Sequence, residues 1–200
     1  MTTTYPVTPR TRVRRHSERG SYDRELVHSI LDGGMIAHVG VGTDRGPRVI
    51  PMMYARDGDT LYLHGAPANQ VLNRAASGVD VCVEVTLLDG LVLARSAFNH
   101  SMNYRSVVVY GQATPVTDDT EKLRALDVLV RRITPDRADI VRAPNAAELA
   151  GTRLLALPLS EVSAKVRSGP PKDDPADMDW PVWTGVIPLI VVQGEPQPAE

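Results

Sequence analysis

The sequence predicts a mainly β (α+β) domain: about six strands, joined mostly as antiparallel hairpins and closed wholly or partly into a barrel, with three or four flanking helices. Three observations predict it. Val79, Val81, Val83, Val85 and Leu87 alternate with Asp80, Cys82, Glu84 and Thr86, the two-residue period of a strand buried on one side. Asp57-Gly58 and Asp89-Gly90 are tight-turn dipeptides between apolar segments. The stretch His100–Gln112 starts with polar side chains, becomes the β-branched run Val107-Val108-Val109 and ends near Gly111, as a central strand with a ligand-facing end would. Closing such strands into a barrel removes edges that would otherwise pair with other chains.

Residues 1–20 are rich in Thr, Pro and Arg, lack hydrophobic periodicity and read as an extended arm. Ser21 can cap a helix running to about Asp32, with Tyr22, Leu26, Val27, Ile30 and Leu31 on one face and Gly33-Gly34 as its stop. Met35–Val41 is a strand, 42–47 a turn, and Arg48–Tyr54 the partner strand. Pro51 has no N–H to donate, so it marks an edge, a bulge or a break. Asp57-Gly58 turns into Thr60–His64, and Pro67 opens a short helix that carries Val71, Leu72, Ala75 and Ala76 and ends at Gly78. Val79–Leu87 follows, Asp89-Gly90 turns into Leu91–Phe98, and His100–Gln112 comes next. Asp118 and Glu121 have capping-box spacing ahead of a helix that buries Leu123, Leu126, Leu129, Val130 and Ile133. Residues 134–144 are irregular, Asn145 caps a short helix through Leu149, and Arg153–Val166 is a last strand interrupted or bent at Pro158. The domain therefore spans 21–167, and a Pro/Asp-rich linker and tail occupy 168–200. The apolar patch around Trp180 and Trp183 is expected to dock on the body or on a second subunit.

The 200 residues suffice for one domain with a sizeable core, and 23% charged with 42% hydrophobic residues is ordinary for a globular protein. A net charge of −2 gives no broad cationic field, so neither nucleic acid nor a membrane surface is expected as partner. Arg10, Arg12, Arg14, Arg15 and Arg19 cluster in the arm, where solvation is the simpler reading and phosphate contact the alternative. Cys82 is the single cysteine, so no intramolecular disulfide forms and a reduced thiol is expected. There is no signal-peptide core and no apolar run of about 18 residues, so the expected location is the cytoplasm.

Hydrolase, zinc-peptidase and Rossmann signatures are missing, and the five histidines have no metal-pair spacing. What remains is a set of phosphate and heterocycle contacts. Arg48 opens one strand, His64-Gly65 closes the next, and a helix start follows, whose free N–H groups favour a phosphate. Arg48 and Arg74 can supply guanidinium forks, although each reads equally well as a surface ion pair. Tyr104 and Ser106 lie on a separate strand and can hydrogen-bond a flat heterocycle; for Tyr104 core packing is the plainer alternative.

Three segments resemble the flavin-nucleotide-binding split-barrel proteins related to pyridoxamine 5′-phosphate oxidase, in the branch with nitroimidazole-resistance proteins. They are PRVIPMMYARDGDTLYLHGA, HSMNYRSVVVYGQATPVTDDTEKLRAL, and SAKVRSGPP with PVWTGVIPL, and the resemblance covers roughly residues 10–190. It implies a six-stranded antiparallel Greek-key split barrel and a homodimer with flavin sites at the subunit interface. It further implies FMN as cofactor, with FAD, a deazaflavin or haem as alternatives, and oxidoreductase chemistry on a small-molecule substrate; the alternative is a flavin- or haem-binding module for storage or sensing without turnover. By the same resemblance Arg48, Val49, Ile50, Pro51 and Met52 line the flavin, and His64 and Gly65 lie near its phosphate with Asn69, Gln70 and Arg74. Tyr104, Arg105 and Ser106 face the ring, and Trp183 covers the pocket. Asn69-Gln70 stands where the oxidases carry Arg-Lys, and Ser106 where they carry a glutamine, so the phosphate grip is weaker in charge. The oxidases' substrate-binding residues are not recognisable, which argues against pyridoxamine phosphate as substrate. His64, His100 and Tyr104 are the candidates for proton relay beside a bound ring.

Overall fold

The computed structural model describes residues 3–199. These form ten strands and four α-helices: β1 (Gly20–Ser21), α1 (Arg24–Gly33), β2 (Ile36–Thr43), β3 (Gly46–Asp57), β4 (Thr60–Gly65), α2 (Gln70–Ala75), β5 (Asp80–Leu93), β6 (Ser101–Gln112), β7 (Thr114–Pro115), α3 (Asp119–Ile133), α4 (Ala146–Ala150), β8 (Arg153–Pro158), β9 (Glu161–Arg167) and β10 (Gly185–Pro188). The chain divides into two compact units. The first holds the residues up to Leu87 together with Ser106–Lys165, and the second holds Leu88–Arg105 with the residues from Val166 on.

In the first unit the strands follow the order β1-β9-β6-β5-β2-β3-β4-β8-β7. The result is a mainly antiparallel split-barrel sheet with flanking helices, open rather than closed. β2 and β3 form a hairpin in register from Ile36↔Met53 to Thr43↔Gly46, and Gly46 takes the left-handed φ of 102° that its tight turn needs. β3 meets β4 only from Tyr54 on, so Pro51, opposite His38, lies where β3 has β2 alone as its partner among the described pairings. The proline thus sits on a local edge and costs no ladder bond.

The inward residues of β2, β4, β5, β6 and β8 make the core, among them Val39, Leu61, Leu63, Val83, Val109 and Leu157. Val27, Ile30 and Leu31 add one face of α1. Tyr54 is fully buried and donates its hydroxyl to the Leu31 carbonyl; burial pushes its pKa up to about 12. A second cluster joins Ala55, Tyr62 and Leu154 to Ala125 and Leu129 of α3. Cys82 is half-buried on the outward side of β5, and burial raises its thiol pKa.

Several expectations change. The cap of α1 is Asp23, whose side chain accepts from the Leu26 N–H, while Ser21 pairs with Ala164 in β1. α2 starts at Gln70 rather than at Pro67, because Asn69 is its N-cap. Of the two readings at Pro158 the interruption holds: the span Arg153–Val166 is two strands, β8 and β9, separated after the proline. Asp89-Gly90 is no turn: β5 runs straight through it to Leu93, and Leu91–Phe98 is not a separate strand. In the second unit β10 pairs with that half of β5, from Gly185↔Leu93 to Pro188↔Gly90. An edge occupied by β10 can be extended, and the glycine serves its close approach. Asp118 and Asn145 cap α3 and α4 as expected, the latter in a complete capping box with Glu148.

The arm is not a loose tail. Tyr5 is 2% exposed, Thr4 bridges to Asp23, and Thr11 is buried. No helix among the described residues is long and apolar enough to cross a membrane.

Candidate functional site

A cleft of about 380 Å³ in the first unit is lined by Thr43, Asp44, Arg45, Arg48, Gln70 and Arg74. The hairpin and α2 create it. The tight turn brings Arg45 and Arg48 to one rim, and α2 supplies Gln70 and Arg74 one turn apart on the other. The Arg48 guanidinium donates to the Gln70 side-chain oxygen. Arg74 donates Nε–H to the Gly42 carbonyl at 3.1 Å, with Asp44 3.9 Å away. Three guanidinium groups against one exposed carboxylate leave the cleft positive, which suits a phosphate ester.

The free N–H groups expected at the helix start are not free. Asn69 Oδ1 accepts from Val71 N–H at 3.0 Å and Leu72 N–H at 3.1 Å. Asn69 therefore holds α2 in place, and the cleft's charge comes from side chains. Gly65 is where β4 passes close to α2, since a Cβ there would lie 2.8 Å from Leu72 Cδ1. His64, the preceding residue, buries Nδ1 without a hydrogen-bond partner, and burial lowers its pKa, so the ring is neutral at neutral pH. A buried, unpaired ring nitrogen is costly and fits a site completed by a bound group.

Val49, Ile50, Pro51 and Met52 follow Arg48 along β3, with Val49 well exposed and Met52 buried. Ser106 lies elsewhere in this unit, its hydroxyl 3.4 Å from the Lys165 carbonyl. Tyr104 and Arg105 belong to the second unit, where Arg105 makes a two-pronged pair with Asp89 at 2.9 and 2.7 Å. The structure thus brings Arg48, Gln70 and Arg74 together and does not bring Ser106 to them.

In the second unit Arg95 ties down the segment that carries the tryptophans. Its backbone N–H donates to Asp173 Oδ1 at 2.7 Å and its Nη1 to Asp173 Oδ2 at 2.9 Å. The guanidinium also reaches the Met178 carbonyl and the Thr184 hydroxyl. Trp183 packs on Gly185, where a Cβ would lie 2.8 Å from the indole, yet both Trp180 and Trp183 remain about two-thirds exposed (64% and 65%). Phe98 is exposed as well, at 93%. His100 donates Nδ1–H to the Ser96 carbonyl at 2.9 Å, which orients the ring and leaves Nε2 without a partner among the described residues. Among the described residues no group of three or more His, Cys, Asp or Glu side chains could hold a metal ion.

The sequence profile described as pyridoxamine 5′-phosphate oxidase matches residues 23–166. The chain belongs to the pyridoxamine 5′-phosphate oxidase family. Among solved structures of similar fold, the flavocytochrome Anf3 from Azotobacter vinelandii is 38% identical, with a TM-score of 0.91 over 96% of this chain and 89% of that one. A FAD and haem binding protein from Mycobacterium smegmatis is 36% identical, with a TM-score of 0.87 over 90% and 89%. A candidate 5-nitroimidazole antibiotic resistance protein from Bacteroides thetaiotaomicron is 25% identical, with a TM-score of 0.63 over 74% and 86%. No curated protein matches significantly. The resemblance read from the sequence is thus shown for family and fold.

Sequence reasoning missed Thr43, Asp44 and Arg45 as lining residues, although two arginines flanking Gly46-Pro47 at a hairpin were the available signal. It also missed the pair Arg95–Asp173, whose members are 78 positions apart with no local pattern to link them.

Proposed function

We propose that this protein is a flavin-binding oxidoreductase that acts on a small molecule, works as a homodimer and resides in the cytoplasm. The observation that carries the reading is the positive cleft of Arg48, Gln70 and Arg74, inside the span matched by the family. Arg48 and Arg74 would neutralise a flavin phosphate, Gln70 would orient Arg48, and the exposed edge of β3 from Val49 to Pro51 would receive the ring. A bound flavin supplies hydride or electron transfer, and the protein contributes binding, orientation and exclusion of water. His64, neutral and unpaired at Nδ1, can give or accept a proton. The flavin favoured here is FAD, ahead of FMN and a deazaflavin, because a relative 36% identical over nearly the whole chain is described as binding FAD. The test is an absorbance spectrum of freshly purified protein, with mass spectrometry of what dissociates on denaturation. Flavin released from the native chain and lost from Arg48→Ala supports the reading, and a colourless protein that does not quench added FMN or FAD fluorescence refutes it.

Haem is a second ligand under this reading. The observation that favours it is His100, whose Nδ1–H is anchored to Ser96 and whose Nε2 is free beside the exposed Phe98. The two relatives reported at 38% and 36% identity are described in terms that include a cytochrome or haem. A Soret band that forms on haem titration and is lost in His100→Ala would support the assignment; an unchanged band in that variant would refute it.

A further inference from the structure

The basic arm, which sequence alone reads most simply as solvated, is fastened along its length. At its start the Tyr5 hydroxyl donates to Asp59 Oδ1 at 2.6 Å. In the middle Arg10 pairs with both Asp80 and Glu161 and lies 5.1 Å over the Tyr110 ring. Further on, Tyr22 accepts from the Val13 N–H at 3.0 Å, and Lys165 donates to the Arg15 carbonyl at 3.1 Å. His16 then turns the backbone through the left-handed region, with φ 53°.

These anchors use Arg10 and leave Arg12, Arg14 and Arg15 exposed, with no side-chain hydrogen bond or ion pair among the described residues. Together with Lys165 they line a groove of about 260 Å³ whose other walls include the hydroxyls of Ser106 and Ser163. Asp80 and Glu161, the carboxylates nearest in the pairing scheme, are both committed to Arg10. Uncompensated like charges repel, and a stretch free to do so would splay into water. Here the backbone that carries them is clamped, and Ser163 stands beside them. That combination of several guanidinium forks, a lysine and a hydroxyl in a small concave site suits a phosphate or diphosphate group. Its volume is too small for a polymer, and the net charge of −2 supplies no wider field to draw one in.

We propose that the groove between the arm and β6–β9 is a second anion site that binds the phosphate of a nucleotide, distinct from the Arg48 cleft. The phosphate has two chemical sources: a separate pyridine dinucleotide that serves as electron donor, or the diphosphate of FAD, whose seat would then be this groove instead of the Arg48 cleft. The site does not depend on the flavin reading, because its probe is ADP.

The experiment is titration of the full-length protein with ADP by calorimetry, repeated at raised salt, for wild type, an Arg12→Ala/Arg14→Ala/Arg15→Ala variant, the corresponding Lys variant, and Arg48→Ala. Wild type is expected to bind ADP less tightly as salt rises. The alanine variant is expected to lose about tenfold or more in affinity, the lysine variant to keep most of it, and Arg48→Ala, which removes only the cleft's contribution, to retain the arm-dependent binding. FAD and NADPH titrations then separate the sources. Weaker FAD binding at unchanged FMN affinity assigns the groove to the flavin's diphosphate; weaker NADPH binding at unchanged FAD affinity assigns it to a donor nucleotide. The proposal is overturned if wild type does not bind ADP, if the alanine variant binds it undiminished, or if the loss occurs in Arg48→Ala alone. A matching melting temperature shows that the variants remain folded, and flavin binding to Arg48→Ala tests the cleft separately.

Discussion

The Ile187 carbonyl passes over Gly90 so closely that a Cβ at Gly90 would sit 3.0 Å from its oxygen and 2.9 Å from Val186 Cγ1. The glycine is a docking surface for β10, and Leu189 continues the contact by donating its N–H to the Asp89 carbonyl at 3.1 Å. Gly90→Val is expected to displace β10 at a cost of about 1–3 kcal/mol, the usual penalty for overpacking. Faster hydrogen exchange at residues 185–189, with exchange in β2 and β3 unchanged, is the outcome to look for.

Asp173 keeps only 5% of its side chain exposed and depends on Arg95. Arg95→Ala leaves that carboxylate buried without its cation, which costs about 3–5 kcal/mol for a buried pair. The segment around Trp180 and Trp183 is then expected to loosen, seen as a red-shifted tryptophan emission and early proteolytic cleavage between 173 and 184. An Asp173→Asn/Arg95→Ala double variant should recover part of the loss, because no unpaired charge remains.

These two relationships also show which parts of the chain could be read in advance. The period-two run Val79–Leu87 and the capping residues Asp118 and Asn145 are local patterns, and the structure bears them out. Asp89-Gly90 has the composition of a turn, yet the strand continues, because what decides it is β10, almost a hundred residues later. Asn69 carries no charge to mark it as a phosphate ligand, and its amide oxygen is taken by the α2 backbone. Arg48, Gln70 and Arg74 were legible as a group because a hairpin and a short helix bring nearby sequence together. The anchored arm was not, since Tyr5, Asp59, Asp80 and Glu161 meet only after folding.

The hydrogen bond from Tyr5, with support from Arg24, holds the Asp59 carboxyl below the usual carboxylate range, about 3.9. A group whose folded pKa is depressed stabilises fully above its unfolded value and loses that contribution as pH falls through the folded one. The start of the arm should therefore stay docked at pH 5 and above and detach in the acid range below about 4. NMR resonances of Tyr5 and Thr11 followed on acidification would report this. Tyr5→Phe should move the transition to higher pH, and an unchanged midpoint would count against the Tyr5–Asp59 contact.

Arg48→Ala removes one of the guanidinium groups that face the cleft and leaves Gln70 without its partner. With charge-assisted hydrogen bonds worth about 1.5–3 kcal/mol, flavin affinity should fall by roughly ten- to a hundredfold. Arg48→Lys keeps the charge without the fork and should fall between. The loss should shrink as salt rises, since screening already weakens the wild-type contact. Fluorescence quenching of FMN and FAD at two salt concentrations provides the comparison.

Burial, opposed by a hydrogen bond with Tyr110, leaves the Cys82 thiol less ionised than a free one at neutral pH. Alkylating reagents attack the thiolate, so the native sulfur should react slowly. A cysteine placed on the exposed tail, at Val191 for instance, would take up a maleimide dye or spin label first. Label-to-label distances in solution would then test whether two copies of the otherwise unaltered chain associate.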